Sequence, residues 1–139
     1  KMKKQLILLL ILFFLLNLFW EVSHSLLFDW NQPPLQNNVE FYIQRILFST
    51  FGDLVILTIM FAIISLKNKS WKWINKPSRI DYVLVIILGT IFAIFIEIRA
   101  SIQGRWHYNQ FMPTIFGIGL TPLVQLFTIA LLALWLIRR

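Results

Sequence analysis

Four ionisable side chains lie inside long apolar stretches of this sequence. Glu21 and His24 are three residues apart and therefore share one face of a helix, whereas Asp53 and Glu97 each lie in a separate apolar run. An ionisable group that faced lipid would cost several kcal/mol, so we expect all four to point into the protein. These four are the candidate catalytic residues.

General acid–base catalysis is the first chemistry that these residue types support. Burial and neighbouring charges shift the proton affinities of carboxyl groups, so adjacent acids can be divided into a proton donor and a proton acceptor. His24 or His107 would relay the proton between such groups.

A divalent metal site is the alternative for the same residues. The spacing Glu21-x-x-His24 is used in metal sites of helical bundles, and Asp53, Glu97 and His107 would complete a ligand set for zinc, iron or manganese. The chain has no cysteine, which excludes thiolate ligands, cysteine nucleophiles and disulfides. The cofactor therefore stays open between none and a divalent metal.

A basic and aromatic group follows the third apolar run and is the candidate substrate-binding rim. It consists of Arg99, Arg105, Trp106, His107 and Tyr108. Arginine forks match phosphate or carboxylate, so this rim would hold an anionic headgroup. Two alternatives remain: an aromatic belt at the membrane interface with snorkelling arginines, or ion pairs between these arginines and the buried glutamates that fix helix register.

The last apolar run carries a polar stripe formed by Gly117, Thr121, Gln125 and Thr128. The spacing places these residues on one helical face, and we include Thr121 and Gln125 among the candidate substrate-binding residues. Pro122 removes a backbone hydrogen bond and predicts a kink in this run.

The elements that position these residues are predicted from the apolar runs themselves. Apolar residues make up 58% of the 139 positions and charged residues 14%, which is too apolar for an ordinary soluble domain. A membrane helix needs about 20 apolar residues. We therefore predict an all-α integral membrane protein, a single domain over residues 1–139, with four transmembrane helices. The predicted spans are about 5–28, 46–66, 82–98 and 114–137.

The basic residues predict the orientation of this bundle. Ten of the 13 Lys and Arg residues lie on one side of the predicted bundle: before the first span, in the loop between the second and third spans, and after the fourth span. The positive-inside rule then places both termini in the cytoplasm and suits the plasma (inner) membrane of a prokaryote. The net charge of +7 is explained by membrane lipid as a partner, because the charges flank apolar runs and form no patch for nucleic acid.

The orientation brings the polar residues to one depth, in the outer half of the membrane. Asp53 lies about 10 Å below the outer start of the second span, and Thr121 lies at a similar depth. Our leading hypothesis is a membrane-embedded enzyme acting on a lipid or isoprenoid. A small proton-coupled transporter working as a homo-oligomer is the alternative, and an accessory subunit of a membrane complex is a third.

Overall fold

The computed structural model describes residues 1–32 and 38–139, and these form mostly α-helix. The long helices are α1 (Met2–His24), α2 (Val39–Lys67), α3 (Arg79–Ile102) and α4 (Leu120–Leu136). Helices α1, α2 and α3 are long and apolar enough to cross a membrane, and α4 is a shorter apolar helix. This arrangement is compatible with the predicted all-α membrane bundle.

The four helices form a closed up-and-down bundle. Each packs against its neighbour in the sequence, and α1 also packs against α4. We call the end that holds Lys1, residues 68–78 and Arg139 the basic end. The opposite end holds residues 25–32 and 103–119, and we call it the aromatic end.

Helix ends are set by local sequence signals. Asn38 caps α2 by accepting a hydrogen bond from the Phe41 N–H. Ser78 and Asp81 form a reciprocal capping box at the start of α3, which satisfies two backbone N–H groups that have no partner in the helix. Short 3-10 segments, Ser25–Leu27 and Trp71–Asn75, follow α1 and α2.

The start of α4 differs from the predicted fourth span. Residues from Thr114 form a tight antiparallel hairpin, β1 (Thr114–Ile115) and β2 (Ile118–Gly119), and the helix begins only at Leu120. Phe116 and Gly117 have positive φ angles of 50° and 78°, which form the turn between the strands. Pro122 consequently lies in the first helical turn, where no N–H partner is needed, so it does not interrupt a helix as the sequence had suggested.

The hydrophobic core is concentrated in the middle and towards the basic end. Phe61 packs edge to face on Phe13 and against Trp73, with ring centroids 4.9 Å and 5.1 Å away. Helices α3 and α4 approach closely through small residues: a Cβ placed on Gly89 would lie 2.8 Å from the Phe127 backbone nitrogen. Such close contact is a common way for membrane helices to pack.

Candidate functional site

The amide of Gln125 joins three helices in the half of the bundle nearer the aromatic end. Its Nε2 atom lies 2.7 Å from Asp53 Oδ2 on α2, 2.8 Å from Glu21 Oε1 on α1 and 3.1 Å from Asn17 Oδ1 on α1. Glu21 is buried and Asp53 half-buried, so two carboxyl groups meet around one neutral donor. The Gln125 amide orients both carboxyl groups but contributes no positive charge to balance them.

His24 extends this network along α1 and across to α4. Its Nε2 atom lies 3.3 Å from Glu21 Oε2, and its Nδ1 atom lies 3.1 Å from the Thr121 hydroxyl. The hydroxyl also contacts Met112 Sδ at 3.4 Å. The imidazole is therefore held on both nitrogens, with one of them within reach of a carboxylate for proton exchange.

Glu97 is the third acid of the site and is held by the loop after α3. Its side chain is only 5% exposed and accepts hydrogen bonds from Trp106 Nε1 (3.3 Å) and from the Tyr108 hydroxyl. The same hydroxyl accepts from the Gly119 N–H at 3.1 Å. Burial, together with the Glu97 carboxyl group, raises the pKa of Tyr108 above its ordinary value of 10.0, so the hydroxyl stays protonated and able to donate.

Backbone pairing fixes this loop over the end of α1. Phe28 and Tyr108 form an isolated antiparallel bridge, flanked by hydrogen bonds from the Asp29 N–H to the His107 carbonyl (2.8 Å) and from the Asn109 N–H to the Leu27 carbonyl (3.0 Å). Residues 27–29 and 107–109 are therefore joined to each other above the polar residues of the site.

A cavity of about 220 Å³ lies among these groups. Its polar lining residues are Glu21, His24, Ser25, Arg45, Ser49, Asp53, Glu97, Arg105, Trp106 and Gln125. Its apolar wall comes from Phe28, Trp30, Ile46, Phe48, Gly52, Ile56, Ala93, Ile96, Pro122 and Leu126. A pocket with an apolar wall and a few convergent polar groups is the usual form of a small-molecule site.

The structure brings all four predicted catalytic residues to this one cavity, together with Gln125, Arg105 and Trp106 from the predicted binding group. Thr121 and Tyr108 stand directly behind lining residues, in contact with His24 and Glu97.

Besides Tyr108, two members of the predicted binding rim do not line the cavity. Arg99 is exposed because it lies two residues after the buried Glu97, which puts it on nearly the opposite face of α3. His107 is also exposed, while its backbone carbonyl pairs with Asp29.

Sequence reasoning missed two contributors to the site. Arg45 lines the cavity, and its spacing of four and eight residues from Ser49 and Asp53 is the signal that could have identified it. Asn17, four residues before Glu21, fixes the Gln125 amide.

The alternative interpretation, in which arginines pair with the buried glutamates, is not supported by the described residues. Within residues 1–32 and 38–139 the ion pairs are His24–Glu21, at 3.3 Å, and Lys67–Asp81, at 2.9 Å. The acids that line the cavity thus have no lysine or arginine partner in the part of the chain described.

The geometry gives no support to the metal alternative. Among the described residues, His, Asp and Glu side chains form no group of three or more that could hold a metal ion. The candidate ligands Glu21, His24, Asp53 and Glu97 do share the cavity, but Glu21 contacts His24 directly, and the fifth candidate, His107, is exposed.

Comparisons of the chain with protein-family models, with curated proteins and with solved structures found no match. Its function must therefore be argued from the chemistry of the cavity.

Proposed function

We propose that this protein is a membrane-embedded enzyme that acts on a lipid or isoprenoid by general acid–base chemistry. The observation that carries the proposal is the convergence of three carboxyl groups and an imidazole on one cavity, without a lysine or arginine partner for any of the acids in the described chain. Acids whose role was only to hold helices together would be expected to have partners that balance their charge.

The Glu21–His24 contact is the proposed proton relay. A carboxylate and an imidazole 3.3 Å apart can exchange a proton with little movement, and Thr121 keeps the ring oriented. Asp53, which shares the Gln125 amide with Glu21, is the second proton-exchanging group. One group would take a proton from the substrate while the other returns one, and a proton would then pass back between the two groups to restore the protein.

Glu97 has a positioning role in this proposal. Its carboxyl group is engaged by Trp106 and Tyr108, so it fixes the loop that closes the cavity. It also lines the cavity.

The positive-inside rule supports a cytoplasmic basic end, in the plasma membrane of a prokaryote. Both chain ends and the Lys-rich connection between α2 and α3 lie at that end. The cavity would then lie in the outer half of the membrane and receive its substrate from the outer leaflet.

The shape of the bundle favours an enzyme over a proton-coupled transporter. The half nearer the basic end is filled by fully buried apolar side chains such as Leu57, Met60 and Ile64. Ser65, a buried polar residue of this half, accepts a hydrogen bond from Trp73 Nε1 at 2.8 Å. A proton path through one copy of the chain would have to cross this dry layer.

The proposal is tested by comparing membrane lipids. Cells that produce equal amounts of the wild type, Asp53→Asn or Glu40→Gln are analysed by lipid mass spectrometry. We expect a lipid species to change in abundance with the wild type and with Glu40→Gln, which removes an exposed carboxylate, but not with Asp53→Asn.

If no lipid changes, the enzyme proposal is wrong. Proton flux into vesicles that contain the purified protein would then indicate the transporter. Absence of both activities would indicate the accessory subunit.

A further inference from the structure

Two arginines of the cavity form no ion pair with any residue in the described ranges 1–32 and 38–139. Arg45 on α2 and Arg105 in the loop after α3 both line the cavity. Neither has a carboxylate within 4 Å or a hydrogen-bond acceptor for its guanidinium group among the residues that the structure describes. Two like charges that face one space repel each other, so an anion between them would be stabilised.

Trp106 holds one of these arginines in place. The guanidinium carbon of Arg45 lies 4.6 Å from the centre of the Trp106 ring, and the indole nitrogen donates to Glu97 at 3.3 Å. Stacking on an aromatic ring fixes the plane of a guanidinium while leaving its N–H groups free. Arg105, the residue before Trp106 in the chain, lines the same cavity.

The apolar wall of the cavity reaches the surface between α2 and α3. Phe48 on α2 lines the cavity and is nevertheless 68% exposed. Gly52, one turn further along, is exposed as well, and a Cβ built on it would meet nothing within 4 Å. In a membrane this opening faces lipid chains, so a ligand can keep an apolar tail there while its head lies inside.

We infer that Arg45 and Arg105 bind the phosphate or diphosphate group of a lipid whose apolar chain passes between α2 and α3. The inference rests on the proposed function and names its substrate class. Guanidinium forks bind phosphate oxygens in pairs, and the site differs from the predicted rim because Arg45 takes the place of the exposed Arg99. The phosphate would bring the adjoining carbon atoms of the lipid towards Glu21, His24 and Asp53.

Lipid retention tests the inference. The wild type, Arg45→Gln, Arg105→Gln and Arg99→Gln are placed in phosphatidylcholine vesicles that contain a small fraction of dioleoyl phosphatidic acid. Each protein is then extracted and purified, and its bound lipid is quantified by mass spectrometry. Arg99→Gln is the matched control, since it removes an exposed arginine near the same end of the bundle.

We expect the wild type and Arg99→Gln to retain phosphatidic acid in preference to phosphatidylcholine. Each of the other two variants should retain about tenfold less, as expected for the loss of a charge-assisted hydrogen-bonding group. Equal retention by all four proteins would overturn the inference. Arg45→Lys guards against a folding artefact: it keeps the charge but loses the planar stack, so it should retain an intermediate amount.

Inorganic phosphate distinguishes a lipid from a soluble ligand. Phosphate that competes only weakly with phosphatidic acid supports the lipid assignment, because the tail then contributes to binding. Binding of inorganic phosphate without enrichment of phosphatidic acid would overturn it and indicate a soluble phosphate compound.

The two proposals can fail separately. If retention follows the arginines but no lipid is ever converted, the anion site stands and the proposed enzyme does not. If a lipid is converted equally well by Arg45→Gln and Arg105→Gln, the enzyme stands and the anion site does not.

Discussion

Both ends of the bundle bury carboxyl groups, but the hydrogen-bond and ion-pair partners of these groups differ between the two ends. At the basic end, Asp81 is 2% exposed and receives hydrogen bonds from Lys67 Nζ (2.9 Å), Asn68 Nδ2 (2.8 Å) and the N–H and hydroxyl of Ser78 (both 2.8 Å). A cation, an amide and a helix cap thus satisfy both oxygens. This acid ties α2 to the start of α3 and has no capacity left for chemistry.

Towards the aromatic end the acids are less completely satisfied. Glu21 and Asp53 share the neutral amide of Gln125, and a cavity of about 220 Å³ lies beside them. In the part of the chain that the structure describes, His24 pairs with Glu21, but Arg45 and Arg105 form no ion pair with those acids. The comparison shows that burial of an acid does not by itself indicate a site. The lack of a lysine or arginine partner for the acid, and a cavity beside it, are better indications of a functional site.

The largest effects should come from exchanging each kind of acid for its amide. Asp53→Asn should lower conversion of the lipid substrate about 100-fold or more, because a proton-exchanging group is lost, while changing stability by less than about 1 kcal/mol. Asp81→Asn should do the reverse and destabilise the protein by about 1 to 3 kcal/mol, because one amide oxygen cannot replace the accepted bonds. Lipid mass spectrometry measures the first effect, and thermal unfolding followed by tryptophan fluorescence measures the second.

A large loss of stability in Asp53→Asn, with the stability of Asp81→Asn unchanged, would contradict the roles assigned to the two acids. The acids around the cavity would then serve architecture, and the accessory-subunit hypothesis would gain.

The next largest effect should separate a packed glycine from an unpacked one. In Gly89→Ala the new methyl group would lie 2.8 Å from Phe127 atoms, so α3 and α4 must move apart, at a cost of about 1 to 3 kcal/mol. Gly52→Ala is the matched control: it has open space, and we expect it to be neutral or to stabilise α2 by up to about 1 kcal/mol. Thermal unfolding of both variants in the same detergent measures the difference in stability. Equal destabilisation by the two substitutions would contradict the open space beside Gly52.

A smaller effect is expected from the loop that covers the cavity. Tyr108→Phe leaves the Gly119 N–H without its acceptor and Glu97 with one donor fewer, so we expect a loss of about 1 to 2 kcal/mol. Tyr82→Phe is the control, because the Tyr82 hydroxyl makes no hydrogen bond within the described residues, and it should change stability by less than about 0.5 kcal/mol.

The Tyr108 contribution should also depend on pH in a defined direction. Burial, with the Glu97 carboxyl group, raises the pKa of Tyr108 above 10.0, so the folded state prefers the protonated hydroxyl. Its stabilising contribution is therefore complete below about pH 9 and declines as the pH rises above about 10. A difference between the wild type and Tyr108→Phe that already shrinks near neutral pH would contradict this assignment.

The sequence predicted the helices and the inward-facing acids because both depend on short-range periodicity. Unbroken apolar runs long enough to span a membrane leave few alternatives to a helix, and the spacing of Asn17, Glu21 and His24 alone places them on one face. The same rule would have assigned Arg45 to the face of Asp53 and Arg99 away from that of Glu97.

The loop around Tyr108 was beyond such reasoning. Its position depends on a backbone bridge to Phe28, about 80 residues earlier in the sequence, and on a short hairpin that takes the place of the first predicted turns of α4. Long-range pairing of this kind produces no periodic pattern in the sequence, so Arg105 and His107 were equally plausible rim residues. Of these two residues, only Arg105 lines the cavity.

The most direct test of a cavity open only towards the outer leaflet is the reactivity of single cysteines. The chain has none of its own, so Ser49→Cys at the cavity and Ser65→Cys in the packed layer need no further changes. We predict that a thiol reagent with a charged head and an apolar chain, which inserts into the outer leaflet and does not cross the membrane, modifies Ser49→Cys when added outside intact cells, and that Ser65→Cys stays unmodified from either side. Modification of Ser49→Cys only from the cytoplasmic side, or no modification from outside, would contradict the account.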